Sequence, residues 1–246
     1  MVIETAEELE GLRAAGRVVA KALRTMRAQV RPSITTAALD AVGARVFQQA
    51  GARSGPQLDY GFPGVNCISV NDEAVHGIPG PRRLRAGDLV KLDVTAELDG
   101  FYADACMSVP VGRARPTTTR LVTTAQRALR AGIEAARAGA PLNVIGAAVE
   151  QTVSARGFSV CASLTGHGIG RRIHEAPHVP NHYVSELSQS LAVGLVLTIE
   201  PIISAGTGAV QALSNGWTIS TSDGSRCAHV EHTVVITEGL PELLTI

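Results

Sequence analysis

The stretch LDVTAELDGFYADA, Leu92 to Ala105, decides how this chain is read. At its centre, Leu98-Asp99-Gly100-Phe101 carries the Asp-Gly pair of a two-residue β-hairpin turn. With Leu98 opposite Phe101, the register sets Asp104 opposite Thr95, and Thr95 shares a face with Asp93 because strand side chains alternate. The two aspartates are then diagonal neighbours on one face, about 7–8 Å apart at the backbone, close enough for their carboxylates to converge. Left bare in a buried place they would repel, and one would take up a proton. A bound cation removes that conflict. A solvated sheet face, with the aspartates as ordinary surface charges, removes it as well, and the polar Thr95 fits both readings.

Around the hairpin, helical segments come in pairs. Thr5 and Glu8 have the spacing of a capping box. Leu9, Leu12, Gly16, Val19, Leu23, Met26 and Val30 then recur at intervals of three and four, which predicts an amphipathic helix stopped by Pro32. A second helix is predicted from about Thr36 to Ala50, with Gly51 as its C-terminal cap. The layout then returns, with a helix from about Thr118 to Ala138 broken by Pro141 and another from about Asn143 to Ala155 closed by Gly157. β-rich sequence follows each pair: GVNCISV and LVKLDVTAELDGFYADACMSV first, then VLTIEPIIS, WTISTSD and AHVEHTVVIT. This repetition points to an internal duplication within a single domain, 1–246, whose halves run over about 1–112 and 118–246 with a seam at Arg113 to Thr117.

The chain has 246 residues, 45% of them hydrophobic and 18% charged, enough to bury a large core. A formal net charge of zero gives no electrostatic footprint for nucleic acid or an anionic membrane. Arginine supplies almost all the basic charge, with Lys21 and Lys91 the only lysines, and no function is read from that. Cys67, Cys106, Cys161 and Cys227 form no CxxC pair and are expected to be reduced and buried. The start, MVIETAEELEGL, is acidic and lacks an apolar signal core, and no uncharged apolar run reaches the roughly 20 residues of a membrane span. A soluble cytoplasmic protein is expected.

Further ligand candidates lie beyond the hairpin. GHGIGRRIHEAP, Gly166 to Pro177, offers His167 and His174 among glycines that permit close backbone approach. Glu200 in LVLTIEPII and Glu231 in HVEHTVVIT stand in apolar, strand-like runs where an unpaired carboxylate is costly. One such glutamate could be paired with an arginine; two in the second half, matching two aspartates in the first, favour a shared object. Asp93, Asp104, Glu200 and Glu231 balance two divalent cations. Oxygen-rich ligation with one imidazole, from His167, suits Mn, Fe, Co or Zn better than a closed structural zinc site. Two ions about 3.5–4 Å apart would activate a bridging water and clamp a tetrahedral intermediate. The spacing alone does not say which ligand joins which ion.

Taken in order, YGFPGVNCISVNDEAVHGIP, LDVTAELDGFYADA, TGHGIGRRIHEAP, TIEPII and HVEHT resemble the type I methionine aminopeptidases, over essentially the whole chain. The resemblance implies an α+β pita-bread fold, two pseudo-symmetric helix-helix-strand halves around a central curved antiparallel sheet. It implies that Asp93, Asp104, His167, Glu200 and Glu231 hold two divalent ions (Co, Mn, Fe or Zn). Asp104 and Glu231 would bridge them, Asp93 would complete one site, and His167 with Glu200 the other. A metal-bridging water, deprotonated with help from Glu200, would attack the first peptide bond. His174 would hydrogen-bond the developing oxyanion and His76 would contact the scissile amide nitrogen. Cys67, Phe62, Trp217, Ile173 and Asp59 would line the methionine pocket around His76. The expected activity is removal of the N-terminal methionine from nascent polypeptides with a small second residue. It would be carried out by a cytoplasmic monomer whose association with the ribosome, if any, rests on the catalytic domain alone.

The chain departs from that pattern at several places. Ile173 stands where the family usually has phenylalanine, Asp59 at a position often aromatic, and Cys227 and His229 where serine and glutamine are usual. The first two bear on the shape of the side-chain pocket, and Cys227 on an implied monovalent cation site nearby. Rival readings are an Xaa-Pro aminopeptidase or dipeptidase, a metal-free creatinase-like hydrolase, and a silent binding module of the same fold. The length argues against the first. The intact ligands argue against the second, and the ligands together with both histidines against the third.

Overall fold

The computed structural model describes all 246 residues. Five helices punctuate the chain: α1 (Ala6–Gln29), α2 (Thr36–Ala50), α3 (Gly55–Tyr60), α4 (Pro116–Ala135) and α5 (Asn143–Ser154). Their ends follow local chemistry. The Thr5 hydroxyl accepts from Glu8 N at 3.2 Å to start α1, while the Glu8 carboxylate reaches back to Glu4 N, one residue before the position a capping box requires. Thr35 caps α2 in the same way, and Gly51 closes it in the left-handed region at φ 71°. α4 begins two residues before the expected Thr118, at Pro116, whose fixed φ suits a first turn, and it ends at Ala135 instead of Ala138. α3 was not expected. Its six residues are too few to show a period, and its signal is only Ser54 accepting from Gln57 N, with Pro56 in the first turn.

Each half has its own core. α1 and α2 cover one face of a four-stranded antiparallel sheet made of Arg53–Ser54, Cys67–Val70, Leu89–Leu98 and Phe101–Pro110. Val90, Leu92, Val94, Ala96, Ala103 and Ala105 point from that sheet into this core. α4 and α5 cover a five-stranded ladder ordered Glu242–Leu243, His232–Val235, Val196–Ile199, Thr165–Gly168, Glu175–Pro180, together with the ladder of Ser159–Val160, Ile202–Ser204 and Cys227–His229. The hairpin register is as the sequence dictates, with Leu98 opposite Phe101 and Thr95 opposite Asp104.

The central antiparallel sheet is divided into separate ladders, and hydroxyl groups stitch the two halves together. Glu231 N donates directly to Cys106 O at 3.0 Å. Two residues away on one side, Asp104 N donates to the Thr233 hydroxyl at 2.9 Å, and that hydroxyl donates to Asp104 O at 2.7 Å. Two residues away on the other side, His229 N donates to the Ser108 hydroxyl at 3.0 Å, which donates to His229 O at 2.8 Å. The seam therefore keeps antiparallel register while its flanking backbone groups are satisfied through side chains. It lays Asp104 beside Glu231 and turns the second face of the hairpin inward.

Candidate metal centre

That inward face is buried, which rules out a solvated sheet. Asp104 is 6% exposed, Glu200 8%, Glu231 2% and His167 5%, while Asp93 is half-buried. Asp104, His167 and Glu231 form one tight group of donor atoms, and Glu200, His229 and Glu231 another. Asp93 lines the same cavity, flanked in register by Cys67 and Cys106. Burial pushes the Glu200 carboxyl up to about 8 and Asp104 up to about 7, and pushes Asp93 and Glu231 well above the usual range. On Asp93 and Glu231 the neighbouring acids add to the shift.

A threonine holds Glu200 in place. Thr198 Oγ1 donates to Glu200 Oε1 at 2.9 Å and accepts from His167 N at 3.0 Å. The order of residues is reversed between halves: the acid precedes threonine in Asp93-Val94-Thr95 and follows it in Thr198-Ile199-Glu200. His167 has Nδ1 2.9 Å from Gly168 O, so that nitrogen carries the proton. The Nε2 lone pair is left facing Glu200 Oε1 at 3.4 Å. Burial depresses the His167 pKa to about 3, which keeps the ring neutral. Asp104 Oδ1, Glu231 Oε1 and both ring nitrogens of His229 are buried with no hydrogen-bond partner. Acids crowded without basic partners, a lone pair already oriented and orphaned oxygens are what a set of cation ligands presents. The residues present fit a divalent metal centre.

A cavity of about 390 Å³ opens onto these acids. Phe62, Cys67, Ile173 and Trp217 line it, with Trp217 edge-on to Phe62 at 5.2 Å. Burial raises the Cys67 thiol well above its ordinary pKa, so it serves as a neutral, apolar wall. His76 and His174 are at the same cavity. His76 occupies the left-handed region at φ 56°, rare for a residue with a Cβ, and Thr218 Oγ1 donates to its carbonyl at 3.2 Å. Burial lowers its pKa to about 4. The His174 ring packs against that of His167 at 4.2 Å.

Two expectations change here. Asp59 does not line the cavity. It lies behind the wall, accepting from the Tyr102 hydroxyl at 2.9 Å and from Ile173 N at 3.1 Å, and so fixes the backbone ahead of His174. Its neighbour Tyr60 reaches the cavity instead, with its hydroxyl 2.6 Å from His174 Nδ1. The place near Cys227 where the resemblance implied a monovalent cation holds a covalently attached one. Lys91, 1% exposed, points Nζ at the carbonyls of Asn71 (2.8 Å) and Cys227 (3.4 Å). Sequence reading missed Tyr60 and His229. The substitution at His229 was the one signal available for it.

The sequence profile of metallopeptidase family M24 matches residues 10–238. This chain belongs to that family. Methionine aminopeptidase 2 of Bacillus subtilis is 43% identical over 247 residues, covering 100% of this chain and 99% of the relative. The methionine aminopeptidase of Clostridium perfringens is 37% identical, with 100% and 99% covered. The crystal structure of a methionine aminopeptidase from Thermotoga maritima superposes with a TM-score of 0.96 at 36% identity, covering 100% of this chain and 99% of that one. The prolidase of Pyrococcus furiosus shares the M24 fold alone, with a TM-score of 0.80 at 22% identity, and this chain covers 65% of its length.

Proposed function

We propose that this M24 metallopeptidase removes N-terminal methionine from peptides and nascent proteins whose second residue is small. The observation that carries the reading is one cavity in which a buried cage of acids and imidazole meets an apolar wall of Phe62, Cys67, Ile173 and Trp217. Full-length similarity to methionine aminopeptidases at 37–43% identity supports the substrate. Asp93, Asp104, His167, Glu200 and Glu231 would hold two divalent ions, Co, Mn, Fe or Zn. Asp104 and Glu231 lie side by side at the seam and would each contribute a carboxylate. Such ions acidify water and polarise a carbonyl.

The remaining work falls to the chain's own groups. Phe62, Cys67, Ile173 and Trp217 would bury the methionine side chain, worth about 1.5–3 kcal/mol. Glu200, steadied by Thr198, would accept the proton of the attacking water. Burial raises the Tyr60 phenol above its ordinary pKa, so it stays protonated and can donate to His174 Nδ1. His174 then carries its own proton on Nε2, the form that donates to a developing oxyanion. His76, held by its strained backbone, would meet the scissile amide. No helix is long and apolar enough to cross a membrane. From the substrate class we infer a cytoplasmic monomer that meets nascent chains, at the ribosome where it docks there.

The test is hydrolysis of Met-Ala-Ser, Leu-Ala-Ser and Ala-Pro-Ser by chelator-stripped protein, with each metal restored under reducing, oxygen-free conditions. Metal-dependent release of methionine alone is expected. Cleavage of either other peptide in its place would reject the substrate, and no cleavage with any metal would favour a binding module.

A further inference from the structure

We propose that His229 is a sixth protein ligand of the metal centre, an imidazole donor grouped with Glu200 and Glu231. The inference rests on the metal-centre reading above and extends it to a residue that the resemblance does not supply.

His229 lies two residues before Glu231, so the two side chains share a face. Its backbone is pinned to the seam by the paired bonds with Ser108, which leaves the ring little freedom to withdraw. The ring is 2% exposed, and neither nitrogen has a hydrogen-bond partner. A neutral imidazole buried this way forfeits a donor and an acceptor, at about 1–3 kcal/mol for each group left unpaired. Such a residue needs a partner that the protein chain itself does not provide.

The distances say what the partner is. Nε2 lies 3.5 Å from Glu200 Oε2 and 3.6 Å from Glu231 Oε2. Hydrogen bonds from a ring N–H to a carboxylate are shorter, about 2.7–3.2 Å. Two donor atoms each about 2.1 Å from a tetrahedral ion stand about 3.4 Å apart. His167 Nε2 stands at that same spacing, 3.4 Å, from the other oxygen of Glu200. Glu200 therefore lies between two imidazoles, one oxygen toward each, at the separation of atoms sharing an ion. The His229 ring has no brace on Nδ1, unlike His167 with Gly168 O, so its position is set by the backbone. A second nitrogen donor in an oxygen-rich cage shifts preference toward Zn, Co or Fe and away from Mn.

The deciding measurement is X-ray absorption on wild-type protein loaded with two equivalents of Co or Zn, where imidazole scattering counts the rings across the centre. Two rings are expected in the wild type. One is expected in His229→Gln, and one also in His167→Gln, where His229 would be the ring that remains. The Zn-to-Mn affinity ratio should fall at least tenfold in His229→Gln. An affinity loss alone would also follow from a histidine that merely touches a ligand, at roughly 10–100-fold, so the ring count decides. A wild-type centre with a single imidazole in all, or a His167→Gln centre with none, overturns the proposal and leaves the metal centre standing. Protein that retains no metal overturns both. If His229→Gln does not fold, the wild-type count and His167→Gln still give the answer.

Discussion

Stripping the metal should change how stability follows pH, because the cage then holds protons that the unfolded chain does not. In the folded, metal-free protein burial keeps Glu200 protonated up to about 8, whereas an unfolded glutamate ionises near its ordinary value of 4.5. The folded state therefore binds the extra proton. The associated stability is fully present below the unfolded pKa and is lost as pH rises through the folded one. Asp93 and Glu231, pushed up by burial and by neighbouring acids, act with the same sign. The buried histidines act oppositely at lower pH. His76 and His229 are lowered to about 4 and His167 to about 3, so they oppose folding as pH falls below their ordinary value of 6.5. Between about pH 6.5 and 8 the carboxyls dominate, and each proton held across that window is worth about 2 kcal/mol, from 1.36 kcal/mol per pH unit. For a chain of this length that is roughly 4–8 °C in Tm per proton. Metal-loaded protein, its ligands ionised throughout, should be nearly flat over the same range and more stable at every pH. Thermal unfolding of chelated and Co-loaded samples at the two ends of the window measures both slopes. A metal-free Tm that stays level or climbs toward pH 8 would refute the claim that these acids share a buried, uncompensated cage.

Other substitutions separate the roles of the site. Asp104→Ala should abolish turnover and lower metal content while the fold survives, because the ties to Thr233 use only the backbone of residue 104; full activity would show that Asp104 is no ligand. His174→Ala should keep its metal and lose roughly 10²–10³ in kcat, the usual effect of removing one oxyanion donor, and metal loss in that variant would make His174 a ligand. Tyr60→Phe should cost about 1 kcal/mol, roughly fivefold in kcat with metal content unchanged, from one lost hydrogen bond; an unchanged kcat would separate Tyr60 from the positioning of His174. Lys91→Met leaves the carbonyls of Asn71 and Cys227 without their ammonium partner, and should lower stability by about 1–3 kcal/mol. Potassium or sodium should restore part of that loss, and wild-type protein should ignore both ions; a wild type that responds to them would refute the substitution of Lys91 for a free cation.

What could be read from the chain alone was whatever is fixed over a few residues. The Asp-Gly turn sets the register of the hairpin, so the facing of Asp93, Thr95 and Asp104 followed without any distant contact. Thr35 and Gly51 fix both ends of α2 by their own hydrogen bonds. The acids of the cage were visible because a carboxylate in an apolar strand is conspicuous for what it costs. Asp59 and Tyr60 show where such reading stops. They are adjacent in a six-residue helix, and a step of one residue turns a side chain by about 100°. Assigning the pocket wall to one or the other therefore needs the rotation of a helix too short to announce itself. His229 was hidden for a different reason. A neutral histidine in a strand is unremarkable until its neighbours are known, and those neighbours come from across the chain. Glu200 is brought in by the second half's own ladders, and Ser108 by a seam that joins residues more than a hundred positions apart. Only with those pairings set do the two unpartnered nitrogens stand out, and the argument that found the acids then applies to the imidazole: a buried polar group with no partner in the chain is waiting for one outside it.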